Sequence, residues 1–294
     1  MSGQIPAGTM YPMASVGVIG WPQETNIELA AAWRARGIPA ELLNPFAAAR
    51  VLGPEDVAVG RLDVLRTLDG IGPGLHVLSD LARRGVRVLN DRSRASPRTR
   101  QAAHRRLPRA GAAAPSAHAP ARTLRGTAPT GAALRAQAAL RQPGADVFRC
   151  RAGWDVEAVL RRVKDRPWFR RHGVIVQELL PVAGHDLRVI VAGGRFVGAV
   201  RRIAPPGEWR TNISLGSARE RVDPPAEACR LGLAAAAAIG ADLVGVDLLP
   251  MDDSHLVLEL NGAAEFDEGD DLPDGNVYLD TAEALRLLPA KVPA

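Results

Sequence analysis

Lysine is almost absent from this chain: 35 of its 37 basic residues are arginine, and the two lysines are Lys164 and Lys291. Cysteine is scarce as well. Cys150 and Cys229 form no CxxC pair, which excludes a zinc-finger spacing and a disulfide framework. Aromatic residues make up 4% of the chain, so the core must consist mainly of Leu, Val, Ala and Ile. These shortages favour a globular protein of a reducing compartment, and we expect it in the cytoplasm.

Long apolar runs are absent too. None approaches the roughly 18–20 residues that span a bilayer. The first residues, MSGQIPAGTMYPM, lack a basic segment followed by an apolar one, so we expect neither a secretory signal nor a membrane partner.

The positive charge is confined to one stretch of the chain. Residues 92–145 contain 11 arginines and no Lys, Asp or Glu. When these 11 charges are removed from the net +5, the rest of the chain carries −6, which excludes a basic surface over the whole protein. A nucleic-acid-binding function would depend on this stretch alone, and we rank it last.

Residues 14–91 alternate between strand and helix patterns. The apolar strand VGVIGW precedes a helical stretch that ends at Gly37, and the amphipathic helix GLHVLSDLARRG ends at Gly85 before the strand VRVLND. This alternation predicts a parallel sheet with crossover helices. VGVIGW lacks the GxGxxG pattern, so it indicates a dinucleotide site only weakly.

Residues 92–152 differ in kind. They are rich in Ala, Arg and Pro and contain almost no β-branched residues, a composition that predicts a disordered basic linker. From Trp154 onward the pattern is regular again. It predicts a helix, a strand over VIVQE, a hairpin at Gly193 and Gly194, a helix over PAEACRLGLAAAAAIG, and a hairpin whose turn lies near Asp252 and Asp253.

The last hairpin carries the clearest chemical signal. Its turn places Asp247 roughly opposite Glu259, and Asn261 shares the face of Glu259 because side chains alternate along a strand. Two adjacent carboxylates repel one another, and a hard cation such as Mg²⁺ would relieve that repulsion with these same oxygen ligands. Spacing alone leaves open an alternative, in which the three residues lie on the solvent face of an edge hairpin.

Four runs between residues 174 and 285 closely resemble the C-terminal half of the RimK-like ATP-grasp ligases, in the family's order: VIVQELLP, GHDLRVIVAGGRFVGAVRRIAPPGEWRTN, GVDLLP and VLELNGAAEF. VGVIGWPQETN and VGRLDVLRTLDG look like the preATP-grasp domain of bacterial members. The resemblance implies an α/β protein with the ATP-grasp fold. A preATP-grasp domain would occupy residues 14–91, an anomalous stretch 92–152 would replace the central subdomain, and the C-terminal subdomain would occupy 153–290.

The resemblance also implies roles for individual residues. The adenine and ribose would be held by Gln177, Glu178, Leu179 and Leu180, and the stretch up to Asp186 would line the same side of the nucleotide site. The phosphates and an acyl phosphate would face Arg188 and Arg201 or Arg202, although each arginine taken alone would be read as an ordinary surface residue. The triphosphate and its metal would be reached by Arg210, Thr211 and Asn212. One or two Mg²⁺ or Mn²⁺ ions would be held by Asp247, Glu259 and Asn261.

The activity that the resemblance implies is ATP-dependent carboxylate–amine ligation. A substrate carboxylate attacks ATP to give an acyl phosphate, and an amine then displaces phosphate to form an amide; phosphoryl transfer of this kind depends on positioning and charge neutralisation. The amine is often an amino acid, frequently glutamate. The acid would be a small-molecule carboxylate or a protein C-terminal tail. The oligomeric state stays open, a homo-oligomer included.

The chain departs from the family pattern in its middle. The family's lysine in a KP dipeptide and its glycine-rich loop should both fall between residues 92 and 151, and neither is there. One explanation is a lost lid, which would leave a catalytically impaired pseudoenzyme or a nucleotide-binding protein. The other, which we favour, is a compensated frameshift in a GC-rich gene, because the acid-free insert is flanked by two well-patterned halves. Resequencing codons 90–155 from genomic DNA separates the two.

Overall fold

The computed structural model describes nine segments of the chain: residues 14–62, 74–90, 119–120, 134–138, 147–151, 153–172, 174–180, 183–252 and 254–288. They form three sheets with helices packed around them. No helix within these segments is long and apolar enough to cross a membrane.

The first sheet is parallel, as the alternating pattern predicts. Its strands are β1 (Val16–Ile19), β2 (Ala40–Leu43), β3 (Val57–Gly60) and β4 (Arg87–Leu89), in the order β2-β1-β3-β4. The helices of this unit are α1 (Glu24–Ala35), α2 (Pro45–Val51) and α3 (Leu75–Arg83). Helix α2 was not predicted from the sequence, although its start is well marked: the Asn44 side chain accepts a hydrogen bond from the Ala47 N–H, and proline follows the cap.

The second sheet is antiparallel and draws on the Arg-rich stretch. It contains β5 (Ala119–Pro120), β6 (Leu134–Ala138), β7 (Val147–Cys150) and β8 (Val174–Glu178), in the order β5-β8-β6-β7. Helices α4 (Gly153–Val163) and α5 (Pro167–His172) lie between β7 and β8 in the chain. The expectation of a disordered linker over residues 92–152 is wrong for β5, β6 and β7. β6 obtains backbone partners on both sides, from β7 and β8, and composition does not reveal such pairing.

The third sheet is antiparallel and forms most of the C-terminal unit. Its strands are β9 (His185–Ala192), β10 (Arg195–Ile203), β11 (Ala218–Arg221), β12 (Leu243–Met251) and β13 (Ser254–Asn261), in the order β11-β10-β9-β12-β13. Helices α6 (Ala226–Ile239) and α7 (Val277–Ala284) belong to this unit. The predicted hairpin between β9 and β10 is confirmed. Its turn needs glycine, because Gly193 and Gly194 have φ angles of 53° and 76° and a Cβ on Gly193 would lie 2.1 Å from the Ala284 carbonyl oxygen.

The N-terminal and C-terminal units share one hydrophobic core. Trp33 of α1 packs in the same cluster as Phe266 and Leu285, and its indole Nε1–H donates to the Tyr278 carbonyl over 2.8 Å. Asn90, at the end of β4 with φ 61°, accepts from the backbone N–H of Leu243 over 2.9 Å and donates to the Leu243 carbonyl over 2.8 Å. Side chains of the N-terminal unit are therefore hydrogen-bonded to backbone groups of the C-terminal unit.

Candidate active site

Five of the predicted site residues lie next to one another on the third sheet. Arg188 on β9 is directly opposite Asp247 on β12, and Asp247 is directly opposite Glu259 on β13. Two residues along β9, Asp186 faces Arg202 on β10. Because residues i and i+2 of a strand share a face, these five side chains meet on the same side of the sheet.

Four of these side chains form a buried, alternating chain of charges. Arg188 donates to both carboxylate oxygens of Asp247, with Nε–Oδ1 2.7 Å and Nη2–Oδ2 2.9 Å. Arg202 donates to both oxygens of Asp186, over 2.7 and 2.5 Å, and its Nη2 also lies 2.9 Å from Asp247 Oδ2. The order is thus Asp186–Arg202–Asp247–Arg188. The Arg202 and Asp247 side chains are only 5% and 2% exposed, so water screens these pairs little.

The pKa values within this chain of charges follow from burial and from the number of partners. Burial would raise the pKa of Asp247, but the guanidinium groups of Arg188 and Arg202 outweigh it and hold that pKa well below its usual range. Burial raises the pKa of Asp186 and outweighs the lowering effect of Arg202, and the nearby charge of Asp247 also opposes its ionisation. Burial would lower the pKa of Arg202, but Asp247 and Asp186 together raise it. Asp247 is therefore the firmly ionised carboxylate of the pair.

A β-bulge sets the pairing of the two carboxylates. Counting back from the turn, Met251 pairs with Ser254 and Leu248 with Val257, so regular alternation would bring Leu258 opposite Asp247. The register shifts at this point, and Glu259 takes that place instead. Bulges re-aim side chains and are common beside active sites.

The oxygen donors near Asp247 fit a hard cation. Asn261 Nδ2 lies 3.4 Å from Asp247 Oδ2 and 3.3 Å from Glu259 Oε1, so one amide contacts both carboxylates. If that amide turns by 180°, its oxygen takes the place of its nitrogen and three oxygens converge. Within the described segments no group of three His, Cys, Asp or Glu side chains could hold a metal. A cation here would therefore need Asn261, phosphate oxygens and water besides the two carboxylates, which is how Mg²⁺ commonly binds.

The loop after β10 reaches this chain of charges through Thr211. Its Oγ1 donates to Asp186 Oδ2 over 2.5 Å. Arg210 pairs with Glu208 instead, with Nη2–Oε2 2.7 Å and Nε–Oε1 3.0 Å, and Asn212 precedes a short 3-10 helix, Ile213–Leu215. The hydrogen bond from the Arg210 side chain lowers the pKa of Glu208 to about 2. To reach a triphosphate, Arg210 would have to leave Glu208.

Replacing Arg210 should release Glu208. In Arg210→Met we expect the pKa of Glu208 to rise from about 2 toward the ordinary value of about 4.3, because the largest cause of its depression is removed. Carboxyl-carbon NMR titration measures this. Arg201→Met is the control, since Arg201 pairs with Glu220. A Glu208 pKa that stays near its wild-type value in Arg210→Met would contradict the assignment.

Other predicted residues lie apart from the chain of charges. Arg201 is adjacent to Arg202 but pairs with Glu220 over 3.2 Å, and its side chain is 41% exposed. Gln177 and Glu178 end β8, which belongs to the second sheet, and Leu179 and Leu180 follow them as half-buried residues. The roles of these residues in nucleotide binding stay predictions.

Two N-terminal residues that were not predicted from the sequence contact the loop beside the site. Arg61 donates from Nη2 to the Ala264 carbonyl over 2.7 Å, and Thr25 Oγ1 donates to the Phe266 carbonyl over 3.1 Å. Both contacts join residues more than 200 positions apart. Both lie in the N-terminal runs that resemble the preATP-grasp domain, VGVIGWPQETN and VGRLDVLRTLDG, but no pattern in those runs indicates a contact with the C-terminal unit.

Comparison with known proteins gives one family match. A model of the RimK-like ATP-grasp domain matches residues 138–272. Two curated relatives are each named "Probable alpha-L-glutamate ligase 2". The protein of Shewanella amazonensis (strain ATCC BAA-1098 / SB2B) is 40% identical over 91 residues, which are 31% of this chain and 30% of that protein. The protein of Hahella chejuensis (strain KCTC 2396) is 39% identical over 90 residues, 30% of each chain. The chain thus spans less than a third of the length of the curated relatives it matches.

Solved structures extend the likeness to most of the chain at low identity. D-cycloserine synthetase DcsG aligns with a TM-score of 0.63 and 19% identity, covering 93% of this chain and all of that one. The ATP-grasp ligase PsnB, in complex with a phosphomimetic variant of a minimal precursor, Mg and ADP, aligns with a TM-score of 0.55 and 19% identity, covering 93% and 98%. At such identities the likeness concerns the fold, and it confirms the predicted ATP-grasp fold. The chain therefore has the ATP-grasp fold, and over residues 138–272 it is similar to the RimK-like ATP-grasp domain.

Proposed function

We propose that this chain is an ATP- and Mg²⁺-dependent carboxylate–amine ligase that forms an amide through an acyl phosphate. The observation that supports it most is the buried chain of charges from Asp186 to Arg188, in which Asp247 lies directly opposite Glu259 and 3.4 Å from the Asn261 amide nitrogen. Buried arginines next to a cation-binding oxygen set are suited to a substrate with many negative charges. Held by Asp247, Glu259 and Asn261, Mg²⁺ would neutralise charge on the transferred phosphoryl group.

The arginines have the geometry that this chemistry needs. Arg188 and Arg202 each donate two hydrogen bonds to one carboxylate, and a planar guanidinium group can bind a phosphate or an acyl phosphate in the same bidentate way. The positive charges of Arg188 and Arg202 are balanced by Asp186 and Asp247. An incoming triphosphate would compete for them with those carboxylates and would add acceptors without a change in fold.

The names of the relatives suggest the substrates. The curated relatives are named as probable α-L-glutamate ligases, and we propose an amino acid, glutamate among them, as the incoming amine. PsnB is solved in complex with a precursor peptide, and DcsG is named as a D-cycloserine synthetase. For this chain the acid is accordingly proposed as either a small carboxylate or a protein tail, and the site of action as the cytoplasm.

Glu259→Gln tests the ligase proposal. With ATP, Mg²⁺ and a panel of acids and amino acids, we expect ADP release by the variant to fall roughly 100-fold, because a ligand charge opposite Asp247 is lost. Glu220→Gln is the matched control, since Glu220 is half exposed and pairs with Arg201. If Glu259→Gln releases ADP at the wild-type rate, the metal assignment is contradicted. No release by the wild-type chain with any pair would remove the ligase proposal.

A second candidate function is nucleotide binding without turnover. It is favoured by the scarcity of lysine: Lys164 is exposed beyond the end of α4, and Lys291 lies outside the described residues. This candidate predicts Mg²⁺-dependent ADP binding by calorimetry together with no ADP release from ATP in any substrate mixture. Turnover with one acid and amine pair would exclude it.

A further inference from the structure

The loop that follows Asn261, residues 262–266, is held by side chains of the N-terminal unit. Arg61 Nη2 donates to the Ala264 carbonyl over 2.7 Å. Thr25 Oγ1 donates to the Phe266 carbonyl over 3.1 Å and accepts from the Phe266 N–H over 3.2 Å. The 262–266 loop is thus fixed at two of its positions by residues that lie far away in sequence.

Arg61 is itself fixed in place. It is 1% exposed, its Nε donates to Asn26 Oδ1 over 2.9 Å, and its guanidinium carbon lies 5.3 Å from the centroid of the Phe266 ring. Burial of a charge is costly unless the charge is well bonded, so these contacts leave the guanidinium little freedom. Thr25 is 4% exposed and equally confined.

The same loop contacts the chain of charges from its other side. The carbonyl of Glu265, between the two anchored positions, accepts from Arg188 Nη1 over 3.3 Å. The other two nitrogens of Arg188 hold Asp247. Ala264 lies directly over Gly245 of β12, where an added Cβ would come within 2.5 Å of the Ala264 Cβ, so the loop packs on the strand two residues before Asp247.

From these contacts we infer that Arg61 and Thr25 are positioning residues for the Arg188–Asp247 pair. They hold the loop, the loop presents the Glu265 carbonyl, and that carbonyl holds the third nitrogen of Arg188. With all three nitrogens bonded, the guanidinium plane is fixed and the oxygens of Asp247 keep one orientation. Only the catalytic consequence rests on the proposed function: the N-terminal unit would orient the metal-facing carboxylate of the other unit.

The Nε–H of Arg188 reports this positioning directly, without substrate. In protein labelled with ¹⁵N-arginine, its exchange with solvent is slowed by the bond to Asp247 Oδ1, and Arg188→Lys identifies the signal by removing it. In Thr25→Val and in Arg61→Lys we expect exchange about fivefold to tenfold faster, the factor that corresponds to loss of one hydrogen bond. Thr25→Ser, which keeps the hydroxyl, should restore the wild-type rate.

Arg87→Lys is the control for general loosening of the two units. Arg87 also reaches from the N-terminal unit to carbonyls of the C-terminal unit, those of Leu285 and Arg286, but not to the 262–266 loop. Unchanged exchange in Thr25→Val overturns the inference, and so does an equal rise in Arg87→Lys. If Arg61→Lys fails to fold, the Thr25→Val and Thr25→Ser pair decides alone, because Val matches the shape of Thr.

Mn²⁺ binding in the presence of ADP, measured by electron paramagnetic resonance, separates this inference from the ligase proposal. If both hold, Mn²⁺ affinity falls about tenfold in Thr25→Val and stays at the wild-type value in Thr25→Ser. If the wild-type chain binds no Mn²⁺ with ADP, the proposed function fails while the exchange result still decides the positioning role.

Discussion

Arg202→Met should destabilise the fold by about 3–5 kcal/mol, the usual result of removing one partner from a buried ion pair. Arg202 satisfies both oxygens of Asp186 and one oxygen of Asp247, and its side chain is 5% exposed. Methionine fills similar space but leaves two buried carboxylates side by side, one of them without its cation. The free energy of unfolding, from urea denaturation followed by circular dichroism, measures the loss.

Arg201→Met is the matched control for this prediction. It makes the same substitution at the next position of β10, where the side chain is 41% exposed and pairs with Glu220. An exposed pair contributes about 0–1 kcal/mol, so we expect a loss in that range at most. Equal losses in the two variants would show that Arg202 contributes through its hydrophobic stem rather than through the chain of charges.

Asp247→Asn should have the largest effect on turnover. We expect ADP release to fall on the order of 1000-fold, because Asp247 is both a proposed metal ligand and the anion that orients Arg188 and Arg202. Asn keeps the shape and loses the charge. The assay belongs at a temperature at which circular dichroism shows the variant folded, since Arg188 then loses its carboxylate partner and Arg202 keeps only Asp186.

Arg188 provides the internal check on Asp247→Asn. In Arg188→Met, Asp247 keeps Arg202 as a partner over 2.9 Å, so the metal site keeps its charge while one phosphate-facing guanidinium is lost. We expect Mn²⁺ binding with ADP to survive in Arg188→Met and to be lost in Asp247→Asn. Retention of Mn²⁺ binding and ADP release in Asp247→Asn would contradict the assigned role of this carboxylate.

The acid stability of the fold should also depend on Asp247. Its pKa is held below the usual range in the folded state, so its stabilising contribution is fully present above the pKa of the unfolded chain, about 3.9, and is lost as the pH falls below that value. As the pH is lowered below about 4, the free energy of unfolding of the wild-type chain should therefore fall more steeply than that of Asp247→Asn. Parallel curves would contradict the depressed pKa.

Local pattern predicted most of the fold of both terminal units, although it missed α2. Apolar strands alternating with helices predicted the parallel sheet of β1 to β4, and the paired glycines predicted the hairpin between β9 and β10. The pattern failed in the Arg-rich stretch. There the strands gain their stability from partners across the second sheet, and their own composition does not indicate a strand.

The candidate site was predictable in part. The spacing placed Asp247 near Glu259, although the bulge that makes them direct partners has no sequence mark. The choice between Arg201 and Arg202 needed the structure, because β10 is buried on both faces over much of its length and alternation is lost. Arg61 could not be found at all, since its contact with Ala264 spans 203 positions.

The core shared by the two ends of the chain has a consequence for its synthesis. Trp33 and Val59 emerge from the ribosome long before Phe266 and Leu285, with which they are buried. Until those residues emerge, the nascent N-terminal sheet exposes an apolar face that chaperones can bind. Contacts across such separations also slow folding. The N-terminal unit should thus become protease-resistant only after the chain has been translated as far as Leu287, and not when its own strands are complete.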